Sequence, residues 1–349
     1  MTLNKTLDGF SVAWSSPSNI AIVKYWGKQP GQIPASPSVS MTLDQCRTNT
    51  EMAIQKGPFS VDFSFEGNQE AKFAERIKRY LTELSSRMPW INDYSFVIKS
   101  ENSFPHSTGI ASSASAFSAL ALCLTSIQNQ ITPLSEITFY KEASLLARLG
   151  SGSACRSIYP GFAAWGQDET NETFSDHYAT PIKHDSRLSK LVDTIIVISQ
   201  KEKRVSSSKG HSLMTNHPYA EARFLQARQS FRDSIQAIAN GNIDLFNDIT
   251  ISEGLTLHSL MLSSTPPFML FEPETVTIIN LLLALKSRNE TPFTFTLDAG
   301  PNIHLIYDES DSSYMNENVI FKIKNLFPGI LFINDKMGGG PTFLGERLT

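Results

Sequence analysis

The chain has 349 residues, enough for two domains of ordinary size and a sizeable core, and its 41% hydrophobic and 18% charged content is that of a globular protein. A net charge of −4 and a pI near 6.0 argue against a general nucleic-acid binder, although a local basic pocket for a small anion is compatible with both. No apolar run approaches the ~18 residues of a membrane span, and MTLNKTLDGF lacks the apolar centre of a signal peptide.

Three widely spaced cysteines, Cys46, Cys123 and Cys155, suit neither a disulfide framework nor a zinc site. A soluble cytoplasmic protein without membrane or nucleic-acid partners is the expectation.

In chain order, FSVAWSS, SNIAIVKYW, SVSMTL, TNTEMAI, FSVDFSF and YSFVIKS read as strands. Residues 70–86 and 134–148 have helical spacing. SASAFSALALCLTSI, residues 113–127, is apolar nearly all round and too long for a strand, so it predicts a helix buried in the core. The chain turns polar over 167–190, and LVDTIIVISQ then reads as a buried strand. A boundary near there divides the chain into 1–190 and 191–349. Helices follow at 217–239, 243–262, 273–289 and near 313–326, with strands PFTFTLDAG, NIHLIYD and GILFIND among them. Hairpin-like pieces without a regular βαβ array disfavour a Rossmann sheet.

Four stretches could carry chemistry. NSFPHSTGIASSASAF leads small residues and serines into the buried helix. Free N–H groups at a helix start attract phosphate, and Gly109, Ala111, Ser112, Ser113 and Ala114 would let backbone amides approach it. An ordinary serine-capped helix has the same composition. NIAIVKYWGK places Lys24 and Lys28 four apart around Tyr25 and Trp26, which suits a carboxylate or diphosphate pocket as well as two solvated lysines. In RLGSGSACRSIYPGFAAW, Arg156 sits in a small, apolar setting and needs an anionic partner, from the protein or a ligand. In PFTFTLDAGPN, Asp298 directly follows an apolar strand, a rigid mounting for a catalytic carboxylate, though the same residues build plain turns. A fifth stretch, KRVSSSKGHSL, reads as a loop that either folds over a ligand or lies on the surface. The glycine run in MGGGPTFL is weak evidence of anything.

In this order the stretches resemble the GHMP small-molecule kinase superfamily, and most closely its diphosphomevalonate decarboxylase branch. The phosphate loop stands as PHSTGIASSA, residues 105–114, and the substrate motifs as NIAIVKYWGK, GSGSACRS and LDAGPN. The resemblance covers nearly the whole chain. It implies an α+β GHMP kinase fold, with an N-terminal ribosomal-protein-S5-domain-2-like part, a C-terminal ferredoxin-like α/β sandwich and a site in the cleft between them.

The implied reaction is ATP-dependent decarboxylation of (R)-5-diphosphomevalonate to isopentenyl diphosphate, with Mg²⁺, in a homodimeric enzyme. The resemblance gives Asp298 to the substrate's 3-hydroxyl, Arg156 to its carboxylate and to holding Asp298, and Lys24 to charge at the 3-oxygen. It gives Tyr25, Lys28, Ser151, Ser153 and Ser207 to substrate binding, and the residues around Ser112 and Ser113 to ATP. Metal ligands are not assigned. Three departures stand out: SPSVSMTL, with Ser36 and Pro37, where Asn-Ser-Ser is usual, His106 where Thr is usual, and Ser208 where some bacterial members carry a diphosphate-binding Arg. Action on 5-phosphomevalonate, a mevalonate 3-kinase and a non-catalytic GHMP-fold binding protein are the alternatives.

Overall fold

The computed structural model describes residues 7–105, 110–201, 205–287 and 292–348. Its larger sheet has eight strands and grows from one long hairpin, Phe10–Val23 against Ser38–Lys56. The sequence pattern breaks each arm into two strands. Pro17 explains the apparent gap in the first: the register shifts between Pro17 and Asn19, so the strand bends at a bulge instead of stopping. Opposite, the second arm bulges through 43–46. The amides of Asp44, Gln45 and Cys46 donate to the Asp335 carboxylate at 2.9, 2.8 and 2.7 Å, which satisfies groups taken out of the ladder.

The bend lets the hairpin serve two cores. Val12, Trp14, Met52 and Ile54 pack under the helices Ala71–Leu84, Ser112–Ile131 and Glu136–Gly150. Ile20, Ile22, Val39 and Met41 pack instead with Phe231 and Phe246, from the helices Ala220–Asn240 and Ile243–Leu262, and with Ile195 of the second sheet. Tyr94–Asn102 extends the first half and Phe162–Trp165 the second. The strand Thr342–Leu348, which had not been expected, returns to pair with Phe10–Val23.

The second sheet is antiparallel, in the order Phe293–Leu297, Ile303–Asp308, Leu191–Val197, Leu331–Lys336. Its outer face is covered by Pro273–Lys286 and by helical turns over 312–326. The architecture is α+β, without a Rossmann array. Phe10–Val23 of the first sheet and Phe293–Leu297 of the second end where the two sheets meet.

Candidate active site

Phe10–Val23 stops one residue before Lys24, and Phe293–Leu297 stops one residue before Asp298. The two side chains meet: Lys24 Nζ donates to Asp298 Oδ1 at 3.0 Å and to the Ala21 carbonyl at 2.6 Å. The lysine side chain is 2% exposed and the aspartate 25%, so the carboxylate is the more accessible partner. Burial lowers the Lys24 pKa. Asp298 and Glu253 oppose that shift, and Arg156 adds to it.

Arg156 lies in the 3-10 turn Gly152–Ile158 and is fully buried. Its Nε donates to Ser40 Oγ at 2.9 Å and its Nη1 to Ser38 Oγ at 2.6 Å, with the guanidinium 5.8 Å from the Trp165 ring centre. Burial lowers its pKa, while Cys155 and Asp298 act in the opposite direction. Asp298 therefore pairs directly with Lys24 and interacts with Arg156 through charge. Ser38 and Ser40 stand outside the four chemistry-bearing stretches of the sequence. The signal was the alternation of serines at 36, 38 and 40 leading into an otherwise apolar strand, where period two puts them on one face. Ser36 Oγ is buried and has no hydrogen-bond partner among the described residues.

The phosphate-loop stretch opens the helix Ser112–Ile131. Gly109 and His106 lie outside the described residues. Ala111 adopts φ 43°, ψ 42°, a left-handed conformation uncommon outside glycine, at the helix N-cap. Ser18 Oγ fixes the preceding turn by donating to the Ile110 carbonyl at 2.6 Å. Among the described residues no side chain caps the helix start. Ser113 and Ser151 hydroxyls lie 3.3 Å apart, which joins this start to the Gly-Ser-Gly-Ser segment leading to Arg156. The Ser153 carbonyl accepts from Asn19 Nδ2 at 3.2 Å, and the same amide donates to Ser157 Oγ at 2.7 Å. Hydroxyl pairs Thr48–Ser115 and Ser16–Ser118, each 2.6 Å, pin the helix to the sheet. Ala114 is fully buried beneath it.

Tyr25 turns its ring against Trp165 and His211, at 4.7 and 4.3 Å between centres. Its buried hydroxyl has no partner among the described residues. Lys28 is half-buried, donates to Gln32 Oε1 at 3.0 Å, and has its pKa lowered by burial and by Arg76. The serine-rich stretch is a short helix, Ser207–Ser212, instead of a loop. The side chains of Ser207 and Ser208 lie outside the described residues. Gly210 lies against Trp26, and the Gly27 amide donates to His211 Nδ1 at 3.0 Å. Burial, helped by Lys28, pushes the His211 pKa down to about 3, so the ring is neutral.

Two family models cover this chain. The diphosphomevalonate decarboxylase-like N-terminal domain matches residues 16–179, and the mevalonate 5-diphosphate decarboxylase C-terminal domain matches 194–336. The diphosphomevalonate decarboxylase of Debaryomyces hansenii is 30% identical over 318 residues, 86% of this chain and 80% of the relative. The chain belongs to the diphosphomevalonate decarboxylase family.

Solved members of the family have the same fold. The Staphylococcus aureus mevalonate diphosphate decarboxylase superposes with a TM-score of 0.83 at 29% identity, over 99% of this chain and 100% of that one. A structure of MDDEF in complex with MVAPP, AMPPCP and magnesium gives 0.83 at 26%, over 96% and 99%. The fold is thus the GHMP kinase fold.

Beside Ser112 and Ser113 an apolar pocket opens, walled by Phe63, Phe65, Phe73, Ala116 and Phe117 and edged by Arg76. Among the described residues no three His, Cys, Asp or Glu side chains gather as a metal cage. Mg²⁺ that travels with nucleotide phosphates does not need one, because phosphate oxygens, water and a few protein oxygens complete its shell. The Ser112 and Ser113 hydroxyls at the helix start fit that role.

Proposed function

We propose that this decarboxylase transfers the ATP γ-phosphoryl group to the 3-hydroxyl of (R)-5-diphosphomevalonate and then expels it. The 3-oxygen forms a bond to phosphorus and ADP leaves. The C3–O bond next breaks and phosphate departs with the electron pair. The bond from C2 to the carboxylate then supplies electrons for the new double bond, which releases CO₂ and isopentenyl diphosphate. A tertiary alcohol is crowded and weakly acidic, so positioning and charge stabilisation dominate the first step.

The Lys24–Asp298 pair carries this reading, because it sets an accessible carboxylate against a buried cation at one point. Asp298 receives or orients the 3-hydroxyl proton, and Lys24 balances charge on the 3-oxygen. Arg156, charged and buried close by, attracts the substrate carboxylate. Tyr25, whose buried hydroxyl has no partner among the described residues, Lys28, Ser151, Ser153 and Ser207 bind the rest of the substrate. The amides and hydroxyls around Gly109, Ala111, Ser112, Ser113 and Ala114 hold the nucleotide phosphates, and the apolar pocket beside them takes the base. Bound there, Mg²⁺ would neutralise phosphate charge.

The enzyme is proposed to act in the cytoplasm as a homodimer. Three free, buried cysteines suit a reducing compartment, and the family resemblance supports the dimer. Two units, 1–190 and 191–349, form the two sides of the cleft in this reading.

Purified protein given ATP, Mg²⁺ and, in turn, mevalonate, its 5-phosphate and its 5-diphosphate tests the proposal. ADP, phosphate and CO₂ in equal amounts from the diphosphate are expected. ADP without CO₂ would make it a kinase, and CO₂ from the monophosphate alone would change the substrate.

A further inference from the structure

We infer that the helix Ile243–Leu262 is a bracket that fixes the spacing of Lys24 and Asp298, with Glu253 and Arg223 as positioning residues for the reaction. The inference rests on the proposed function for the roles of Lys24 and Asp298. Its geometric content does not.

Lys24 and Asp298 end strands that belong to different sheets, so no ladder sets the distance between them. Glu253 does so from one side. It is fully buried, and its Oε2 accepts from the Lys24 backbone N–H at 2.9 Å. Arg223, on Ala220–Asn240, donates to both Glu253 oxygens at 2.7 and 2.6 Å. Its Nη2 also donates to the Lys24 carbonyl, at 3.3 Å. The ion pair therefore grips both polar groups of one peptide residue where the strand has ended.

The same helix grips Asp298 from the other side. A Cβ on Gly254 would lie 2.8 Å from Thr296 Oγ1 and 3.1 Å from the Leu297 amide, so the helix sits directly on the strand that carries Asp298. One turn further on, His258 Nε2 donates to the Asp298 carbonyl at 3.0 Å, and its ring stacks on Phe271 at 4.1 Å. Stability alone is a poor reason for such a pair. Burying Glu and Arg carries a desolvation penalty, and apolar residues of similar volume often serve a core as well or better. What they cannot do is hold an N–H and a C=O at a chain end.

The test compares wild type with Glu253→Gln, Arg223→Lys and His258→Leu. Glu253→Gln keeps an acceptor but breaks the ion pair. Misplacement of Lys24 by ~1 Å should lower kcat about 100-fold, with the KM for ATP unchanged. The charges facing Lys24 are Asp298, Glu253, Arg223 and Arg156. Loss of the Glu253 charge should move the alkaline limb of kcat to lower pH. Arg223→Lys keeps the charge but not the two-pronged contact with Glu253, so kcat should fall while the alkaline limb moves less than in Glu253→Gln, and wild-type kcat there counts against the bracket.

A Glu253→Gln kcat within about twofold of wild type, or a loss matched by the unfolded fraction with an unmoved limb, overturns the bracket. If Glu253→Gln does not fold, His258→Leu, which has no donor for the Asp298 carbonyl, tests the other arm, and wild-type kcat there also overturns it. The Lys24 ammonium pKa, followed by carbon-13 NMR in wild type and Glu253→Gln, needs no turnover. An inactive wild type would therefore sink the reaction while the NMR comparison still judges the bracket.

Discussion

Lys24 and Asp298 stand 274 positions apart in the chain and 3.0 Å apart in space. The contact joins the ends of two strands from two sheets, so both halves of the chain must be folded before it exists. Asp298 is the more exposed partner and the one within reach of a ligand. Asp298→Asn keeps the size and removes the charge. It should lower kcat about 1000-fold or more, within the usual range for a lost general base. Nucleotide binding, measured by titration calorimetry, should survive. A variant with wild-type kcat would remove Asp298 from the chemistry.

Lys24 should set the alkaline edge of activity. Its protonated form makes the ion pair, and burial holds its pKa below the ordinary 10.5. As pH rises through that lowered pKa the cation is lost, so kcat should fall before an exposed lysine would titrate. Arginine stays charged throughout this range. The residual activity of Lys24→Arg should therefore show no such fall. A pH profile of kcat for the two proteins decides it, and an identical limb in both would assign the edge to another group.

The sequence made some of this site legible and hid the rest for physical reasons. Lys24, Arg156 and Asp298 lie in short, unusual runs at the ends of apolar segments, where charge is conspicuous. Glu253, Arg223 and His258 are invisible by comparison. A glutamate or arginine within a helix ordinarily belongs to the solvated face, and only packing between two helices and a strand end buries these. The long hairpin read as fragments because Pro17 and the polar 44–47 segment imitate turns, whereas Asp335, almost 290 residues away, satisfies the bulge. Thr342–Leu348 escaped notice because it is largely exposed on both faces and shows no apolar alternation. The α+β class and most helices were plain, since long periodic segments outweigh local ambiguity.

His211 should make the protein more sensitive to acid. Its folded pKa is pushed down to about 3 from the ordinary 6.5, chiefly by burial. Between those values the unfolded chain takes up a proton that the folded chain refuses. The stabilisation is complete above about 6.5 and is lost progressively as pH falls towards 3. His211→Asn offers Oδ1 where Nδ1 accepts from the Gly27 amide and has nothing to titrate. Calorimetric Tm values at neutral and mildly acidic pH should drop less for the variant than for wild type. Equal drops would mean that His211 is solvated and protonated in the folded state.

Gly210 is the position at which the short serine helix meets the substrate motif. A Cβ there would lie 2.3 Å from the Trp26 ring, closer than side-chain atoms approach one another. Trp26 is buried and wedged against His211, so the ring has little room to retreat. The helix must give instead. In Gly210→Ala, Ser207–Ser212 should lift from Trp26 and stretch the contact between Gly27 and His211. Overpacking of this kind costs about 1–3 kcal/mol. That cost falls on a six-residue element and on the small cluster around Trp26, apart from the two larger cores, so the global Tm should move less than the affinity. Diphosphomevalonate affinity should suffer, because Tyr25 and Lys28 flank the displaced contact. Steady-state kinetics should show the KM for diphosphomevalonate raised about tenfold, as roughly 1.4 kcal/mol would give, with the KM for ATP near wild type. An unchanged KM for diphosphomevalonate would show that the serine helix plays no part in substrate binding, whatever its packing on Trp26.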